Sequence, residues 1–162
     1  MLTHGHYDHM GAVRELQQVT GARLVAGKKE LPMLRDAKMS LAREIFDDPD
    51  YVLAPDVLLE EGESVRLDEL AFTCIETPGH TEGGVTYRVG GALFTGDTLF
   101  KESAGRTDLY GGDYGKLKAS LAKLAALEGD FTVYPGHGDA TTLEYERQTN
   151  SYIGLQDYDT YF

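Results

Sequence analysis

Residues 3–9 read Thr3-His4-Gly5-His6-Tyr7-Asp8-His9. Four potential metal ligands, His4, His6, Asp8 and His9, fall within six residues. In an extended stretch side chains alternate with period two, so His4 and His6 point the same way. A tight turn into a helix at Asp8-His9 aims that second pair at an adjacent point. Imidazoles mixed with carboxylates suit zinc, iron or manganese better than calcium or magnesium, which prefer oxygen-only shells.

The chain has five histidines in all, and the other two sit in near-identical settings, Pro78-Gly79-His80 and Pro135-Gly136-His137. Taken singly, each signal is weak. A histidine after Pro-Gly reads as a surface turn residue. Asp97, in Thr95-Gly96-Asp97-Thr98, reads as a turn cap. Scattered surface or core histidines would not fall in this pattern, and the joint occurrence points to one site.

Composition bounds the rest. At 162 residues the chain is about one domain and long enough to bury a core, so residues 1–162 are expected to form a single domain. Fifteen basic residues against 27 acidic give a net charge of −12. That argues against nucleic-acid and anionic-membrane partners, which need basic surface. The single cysteine, Cys74, excludes a disulfide framework and any all-cysteine metal site. It falls inside a strand pattern and reads as a core thiol. No apolar run approaches the ~18 residues of a membrane span, and no secretory leader is visible. The expectation is a soluble, cytoplasmic protein.

Hydrophobic spacing gives a mixed α and β pattern. Met10, Val13, Leu16 and Val19 recur every third residue and predict a helix from about His9 to Gly21. A short strand is expected at 23–26, then helix in two pieces over 28–46, with Pro32 near the start of the first. Asp47-Asp48-Pro49-Asp50 reads as a loop. Strands are expected at 57–59, 65–67, 70–77, 85–89 and 92–95, a helix at 113–127, and a strand at 131–134. Thr141 and Glu144 have the spacing of a capping box opening a last helix. On this reading every candidate ligand lies at the end of an element, the usual place for a functional site on a rigid scaffold.

The set H-x-H-x-D-H, then a His, an Asp and a final His, resembles the metallo-β-lactamase superfamily. All seven positions are present: His4, His6, Asp8, His9, His80, Asp97 and His137. The stretches Thr77-Pro78-Gly79-His80-Thr81, Gly96-Asp97-Thr98-Leu99-Phe100, Gly105-Arg106-Thr107-Asp108-Leu109 and Tyr134-Pro135-Gly136-His137-Gly138 are similar to the glyoxalase II (hydroxyacylglutathione hydrolase) group. The likeness runs from Thr3 to about Tyr152.

The resemblance implies an α/β protein with the αββα sandwich of that superfamily. It implies two divalent metal ions, zinc first, with iron or manganese as alternatives. His4, His6 and His80 would hold one ion and Asp8, His9 and His137 the other. Asp97 would bridge them with a hydroxide, and Asp8 and Asp97 would be the catalytic carboxylates. Lys101, Arg106 and Tyr110 are the candidate substrate contacts, with an ion pair to Asp108 as the structural alternative for Arg106. Tyr7 is expected to pack beside the metal loop. The implied reaction is hydrolysis of a small-molecule thioester such as S-lactoylglutathione. A thiol leaving group has a pKa near ~8.5 and departs without a general acid, which fits a chain with no histidine to spare. The runner-up is a persulfide dioxygenase with one iron on His4, His80 and Asp97. A third reading is a non-catalytic fragment, because roughly fifty residues of first strands usually precede this motif. A sheet without them is expected to be N-terminally truncated, to expose apolar faces and to favour a homo-oligomer. It would also leave His4 on a frayed end.

Overall fold

A computed structural model of the chain describes residues 1–46, 48 and 50–153. Two members of the expected loop, Asp47 and Pro49, lie outside the described residues.

The chain enters as an extended stretch and turns at once into α1 (Tyr7–Met10) and α2 (Val13–Thr20). Strand β1 (Val25–Gly27) follows, then a 3-10 turn (Lys28–Glu30) running into α3 (Leu31–Leu34), and α4 (Ala42–Ile45). Next come β2 (Val57–Leu59), β3 (Ser64–Leu67), β4 (Leu70–Glu76), β5 (Val85–Val89) and β6 (Ala92–Gly96). A small hairpin, β7 (Leu99–Phe100) with β8 (Ser103–Ala104), precedes α5 (Tyr114–Ala125). The chain continues with β9 (Thr132–Pro135), β10 (Thr141–Thr142) and α6 (Leu143–Thr149).

The large sheet has six strands in the order β10-β9-β6-β5-β4-β3. β1 and β2 form a separate parallel pair. Four layers result. The small sheet sits on one face of the large one, with Val25 and Leu59 packed against Cys74, Val85 and Tyr87. Helices α5 and α6 cover the opposite face, where Leu117, Leu121, Leu124 and Leu143 meet Ile75, Leu93 and Val133. Leu2, Met10, Leu34, Ala42 and Tyr51 close a third cluster with Leu24 and Ala26, around β1. This is an αββα arrangement in which the first sheet has two strands. Beyond the reach of β1 and β2 the large sheet's inner face is partly bare. Phe94 and Tyr134 are paired across β6 and β9 and stacked at 5.2 Å, yet 39% and 44% exposed.

Helix α5 forms where its leucines repeat at three- and four-residue spacing, and Asp113 caps it by accepting the Lys116 amide at 2.9 Å. Two expectations need correction. The helix expected from His9 to Gly21 exists, interrupted at Gly11-Ala12, but Leu16 and Val19 are 54% and 72% exposed. A strict three-residue spacing slips backwards by about 60° at each step of a 3.6-residue helix, so those four residues never shared one face. The last helix is capped by Thr142, whose hydroxyl accepts the Tyr145 amide at 3.2 Å. Thr141 instead donates to the buried Glu146 carboxylate at 2.7 Å.

The start of the chain is tied down. The Leu2 amide donates to Val25 O and the Val85 amide to Thr3 O, both at 2.9 Å. Leu2 O accepts the Tyr87 hydroxyl at 2.8 Å. The stretch carrying His4 is therefore bonded to both sheets, not frayed as its position in sequence suggested.

Candidate metal centre

Strands β4 and β6 each run antiparallel to β5, and β9 runs parallel to β6. The C-terminal ends of β4, β6 and β9 therefore meet at one edge of the large sheet. His80 lies in the loop after β4, Asp97 directly after β6, and His137 after β9. His4 and His6 reach the same edge from the extended entry stretch, and α1 carries Asp8 and His9. The loop bearing His80 depends on Gly79, which has φ of 137°. A Cβ there would lie 2.3 Å from the Leu117 amide nitrogen at the start of α5. Only glycine permits both the backbone angle and the approach.

All seven predicted ligands converge. His4, His6 and His80 are buried, and a donor atom from each lies within 4.8 Å of the others. The same holds for Asp8, His9 and His137, and for His4, His9 and Asp97. Asp97 stands between the groups: Oδ1 is 3.3 Å from His9 Nε2, and Oδ2 is 3.5 Å from both His80 Nε2 and His137 Nε2. Asp8 Oδ2 is 3.1 Å from His137 Nε2.

Three polar atoms here, His4 Nε2, His6 Nε2 and Asp97 Oδ1, are buried without a hydrogen-bond partner. An unpartnered buried polar atom costs about 1–3 kcal/mol. Three among clustered imidazoles and carboxylates fit a candidate metal centre, and His6 meets His80 Nε2 through Nδ1 at 2.9 Å. The partners behind them agree. His80 Nδ1 donates to the Arg106 carbonyl at 2.8 Å, which leaves Nε2 as the lone-pair nitrogen facing Asp97.

Electrostatics favour the ligating protonation state of the imidazoles. Burial, reinforced by the neighbouring histidines, holds His4 well below its ordinary pKa. Burial and His80 bring His6 down to about 4. His9 is also lowered by burial, against the opposing pull of Asp97 and Asp8. Imidazole must be neutral to bind a metal, and the shifts of His4, His6 and His9 all run towards that form. Burial raises Asp97, with His9, His80 and His137 opposing.

An open cavity of about 490 Å³ lies over the cluster, lined by His6, Asp8, His80, Asp97, Arg106 and His137, with Leu41, Phe100 and Leu109 on its walls. Tyr7 lines it too, with its ring against Phe46 at 6.2 Å. Of the three candidate substrate contacts only Arg106 lines this cavity. Its guanidinium makes a two-pronged contact with Asp108 at 2.6 and 2.7 Å, which holds the Asp108 carboxyl down to about 2. Lys101 lies 3.8 Å from Asp139, and Tyr110 is 56% exposed away from the cavity lining.

Sequence reasoning passed over Glu30, which is 2% exposed and binds the loops that carry His4, His6 and His80. In the run Lys28-Lys29-Glu30 it reads as solvated surface, and only a fold places it inside.

Residues 1–137 match the Metallo-beta-lactamase superfamily. The chain belongs to this superfamily, whose members are mostly hydrolytic metalloenzymes that bind divalent metals. Among its relatives, hydroxyacylglutathione hydrolase GloC of Haemophilus influenzae is 34% identical over 157 residues, covering 94% of this chain and 74% of that protein. The crystal structure of BLEG-1 B3 metallo-beta-lactamase superposes with a TM-score of 0.85 at 35% identity, covering 94% of this chain and 75% of that one. The structure of TTHA1623 in a di-iron-bound form gives 0.79 at 37% identity, covering 93% and 75%. These names span a thioester hydrolase and a β-lactamase, so the likeness fixes family and fold and leaves the substrate to the site.

Proposed function

We propose that the chain is a single-domain, metal-dependent thioester hydrolase of the glyoxalase II type, acting in the cytoplasm on S-acylglutathiones such as S-lactoylglutathione. The observation that carries this reading is the position of Asp97, with one carboxylate within 3.5 Å of donors from both ligand groups. A carboxylate so placed suits two ions, zinc first and iron or manganese next. His4, His6 and His80 would hold one, Asp8, His9 and His137 the other, and Asp97 both. When bound, such a pair brings a water's pKa close to neutrality and polarises a carbonyl.

The chain's own residues supply the rest. Asp8 and Asp97 are the carboxylates nearest the reacting centre, where they accept hydrogen bonds and balance cationic charge. Phe100, Leu109 and Leu41 wall the cavity with apolar surface suited to an acyl chain and its thiol carrier. Arg106 stands exposed at the rim, where a substrate carboxylate can displace Asp108 from it. All five histidines sit in the cluster, so none is left over as a general acid. A thioester needs none, since its thiolate leaves unprotonated at a pKa near ~8.5. The net charge of −12 supports a small-molecule substrate over nucleic acid or an anionic membrane surface. Among the described residues no helix is long and apolar enough to cross a membrane. The partly bare inner face of the large sheet supports self-association into a homo-oligomer.

The test is metal content per chain after purification without chelator, followed by turnover of S-lactoylglutathione, glutathione persulfide with oxygen, and a chromogenic cephalosporin. About two ions per chain and thioester turnover support the proposal. One iron per chain with oxygen uptake assigns the dioxygenase instead, and cephalosporin turnover alone assigns a lactamase. Negligible metal removes every catalytic reading and leaves a non-catalytic chain.

A further inference from the structure

Glu30 ends the 3-10 turn after β1 and is almost wholly buried, although among the described residues no counter-charge touches its carboxylate. Its partners are specific. Oε1 accepts the Gly5 amide at 2.7 Å, and Gly5 is the residue between His4 and His6. Oε2 accepts the Thr81 hydroxyl and the Gly83 amide, both at 3.0 Å, and Thr81 follows His80. One carboxylate thus joins two loops about seventy-five residues apart in sequence, and both carry ligands of the same group. The fit leaves no slack on one side: a Cβ on Gly83 would lie 2.0 Å from the Glu30 amide nitrogen, so turn and loop are in backbone contact.

We infer that Glu30 is a positioning residue for one half of the centre: it fixes the His4-Gly5-His6 stretch against the His80 loop and so sets the affinity and geometry of the first ion's site. This rests on the proposed two-metal reading. A buried carboxylate is a costly way merely to fill space, and none of its three hydrogen bonds goes to the loop that carries His137. Its influence is therefore lopsided, falling on the group His4, His6 and His80 rather than on Asp8, His9 and His137. Partners one step behind a metal ligand typically change metal affinity by about 10- to 100-fold.

The experiment titrates cobalt(II) into the metal-free full chain and follows visible absorption, with zinc competition for affinities, in the wild type, Glu30→Gln, Glu30→Asp and Thr81→Val. Circular dichroism and thermal unfolding of each metal-free protein run alongside. Glu30→Gln keeps the volume but turns an amide donor towards existing donors. It is expected to weaken one of the two sites about 10- to 100-fold and change that site's cobalt spectrum, while the other site stays within about threefold. Thr81→Val removes a single hydrogen bond and is expected to weaken the same site by a few-fold. Unchanged spectra and affinities in folded variants overturn the inference. So does equal weakening of both sites together with a large loss of metal-free stability, which would make Glu30 a general fold residue. A wild type that binds no cobalt sinks the two-metal reading itself, and this inference with it.

Discussion

Gly136 precedes His137, and its missing side chain faces the centre. A Cβ built there would stand 2.1 Å from Asp97 Oδ1 and 2.7 Å from His9 Cε1. Real Cβ contacts essentially never fall below 3.0 Å, so Gly136→Ala requires Asp97 Oδ1 to retreat by about 0.9 Å. The φ of Gly136 is not positive, so alanine does not meet the left-handed penalty, and the push falls chiefly on the two ligands, with the Gly96 carbonyl carbon 3.2 Å away giving by a few tenths of an ångström. The loop is exposed and outside every core cluster, so metal-free stability should change little. A constellation of this kind tolerates roughly 0.5 Å, and a 1 Å misplacement costs about 100-fold. The expected loss in kcat/KM for S-lactoylglutathione is therefore about 100-fold, or about 2.7 kcal/mol of transition-state stabilisation. It should be accompanied by loss of one ion per chain on elemental analysis. An alanine variant that keeps both ions and turns over within threefold of wild type would refute the placement of Asp97 between the two groups.

Asp97→Ala removes the carboxylate that, among the described residues, stands between the groups, and should lower activity at least 100-fold, with metal content falling below two ions per chain on elemental analysis. Arg106→Ala keeps the backbone carbonyl that orients His80. It should leave metal content unchanged and raise KM several-fold for substrates that carry a glutathione carboxylate, and an unchanged KM removes Arg106 from substrate binding. Cys74 is fully buried, and burial raises its thiol from 9.0 to about 11. Above pH 9 the unfolded thiol ionises while the folded one stays neutral, so stability should decline between pH 9 and 11 by up to about 3 kcal/mol. Cys74→Ala should flatten that slope in denaturant titrations, and alkylation of the wild type at pH 8 should proceed only as fast as the chain opens.

The candidate cluster was legible because metal chemistry, where present, leaves a local mark. His4, His6, Asp8 and His9 are packed into six residues, and Pro-Gly-His occurs twice where scattered histidines would not repeat a setting. Five of the large sheet's strands were legible for the same kind of reason, as apolar-rich runs of four to seven residues between turn residues, whereas the two-residue β10 was not. What stayed hidden depends on contacts far apart in sequence. Glu30 looks like one more surface charge until Gly5 and Gly83 arrive on either side of it. The two-residue strands of the β7–β8 hairpin are too short to show any period. Leu16 and Val19 carry an apolar repeat that the fold leaves in solvent, because a three-residue spacing does not follow a helix face. The substrate contacts were the weakest reading, since a rim arginine and a neighbouring aspartate suit ion pairing as well as binding.

His9 Nε2 and His137 Nε2 lie 3.3 Å apart yet 128 residues apart along the chain. On a ribosome adding about 5–20 residues per second, that separation is roughly 6–25 s of synthesis. Through that interval His9 exists without His137, and the group they share with Asp8 stays open. An ion taken up before then would have only His4, His6, His80 and Asp97 around it, so the group of Asp8, His9 and His137 is the last to be completed, when His137 is made.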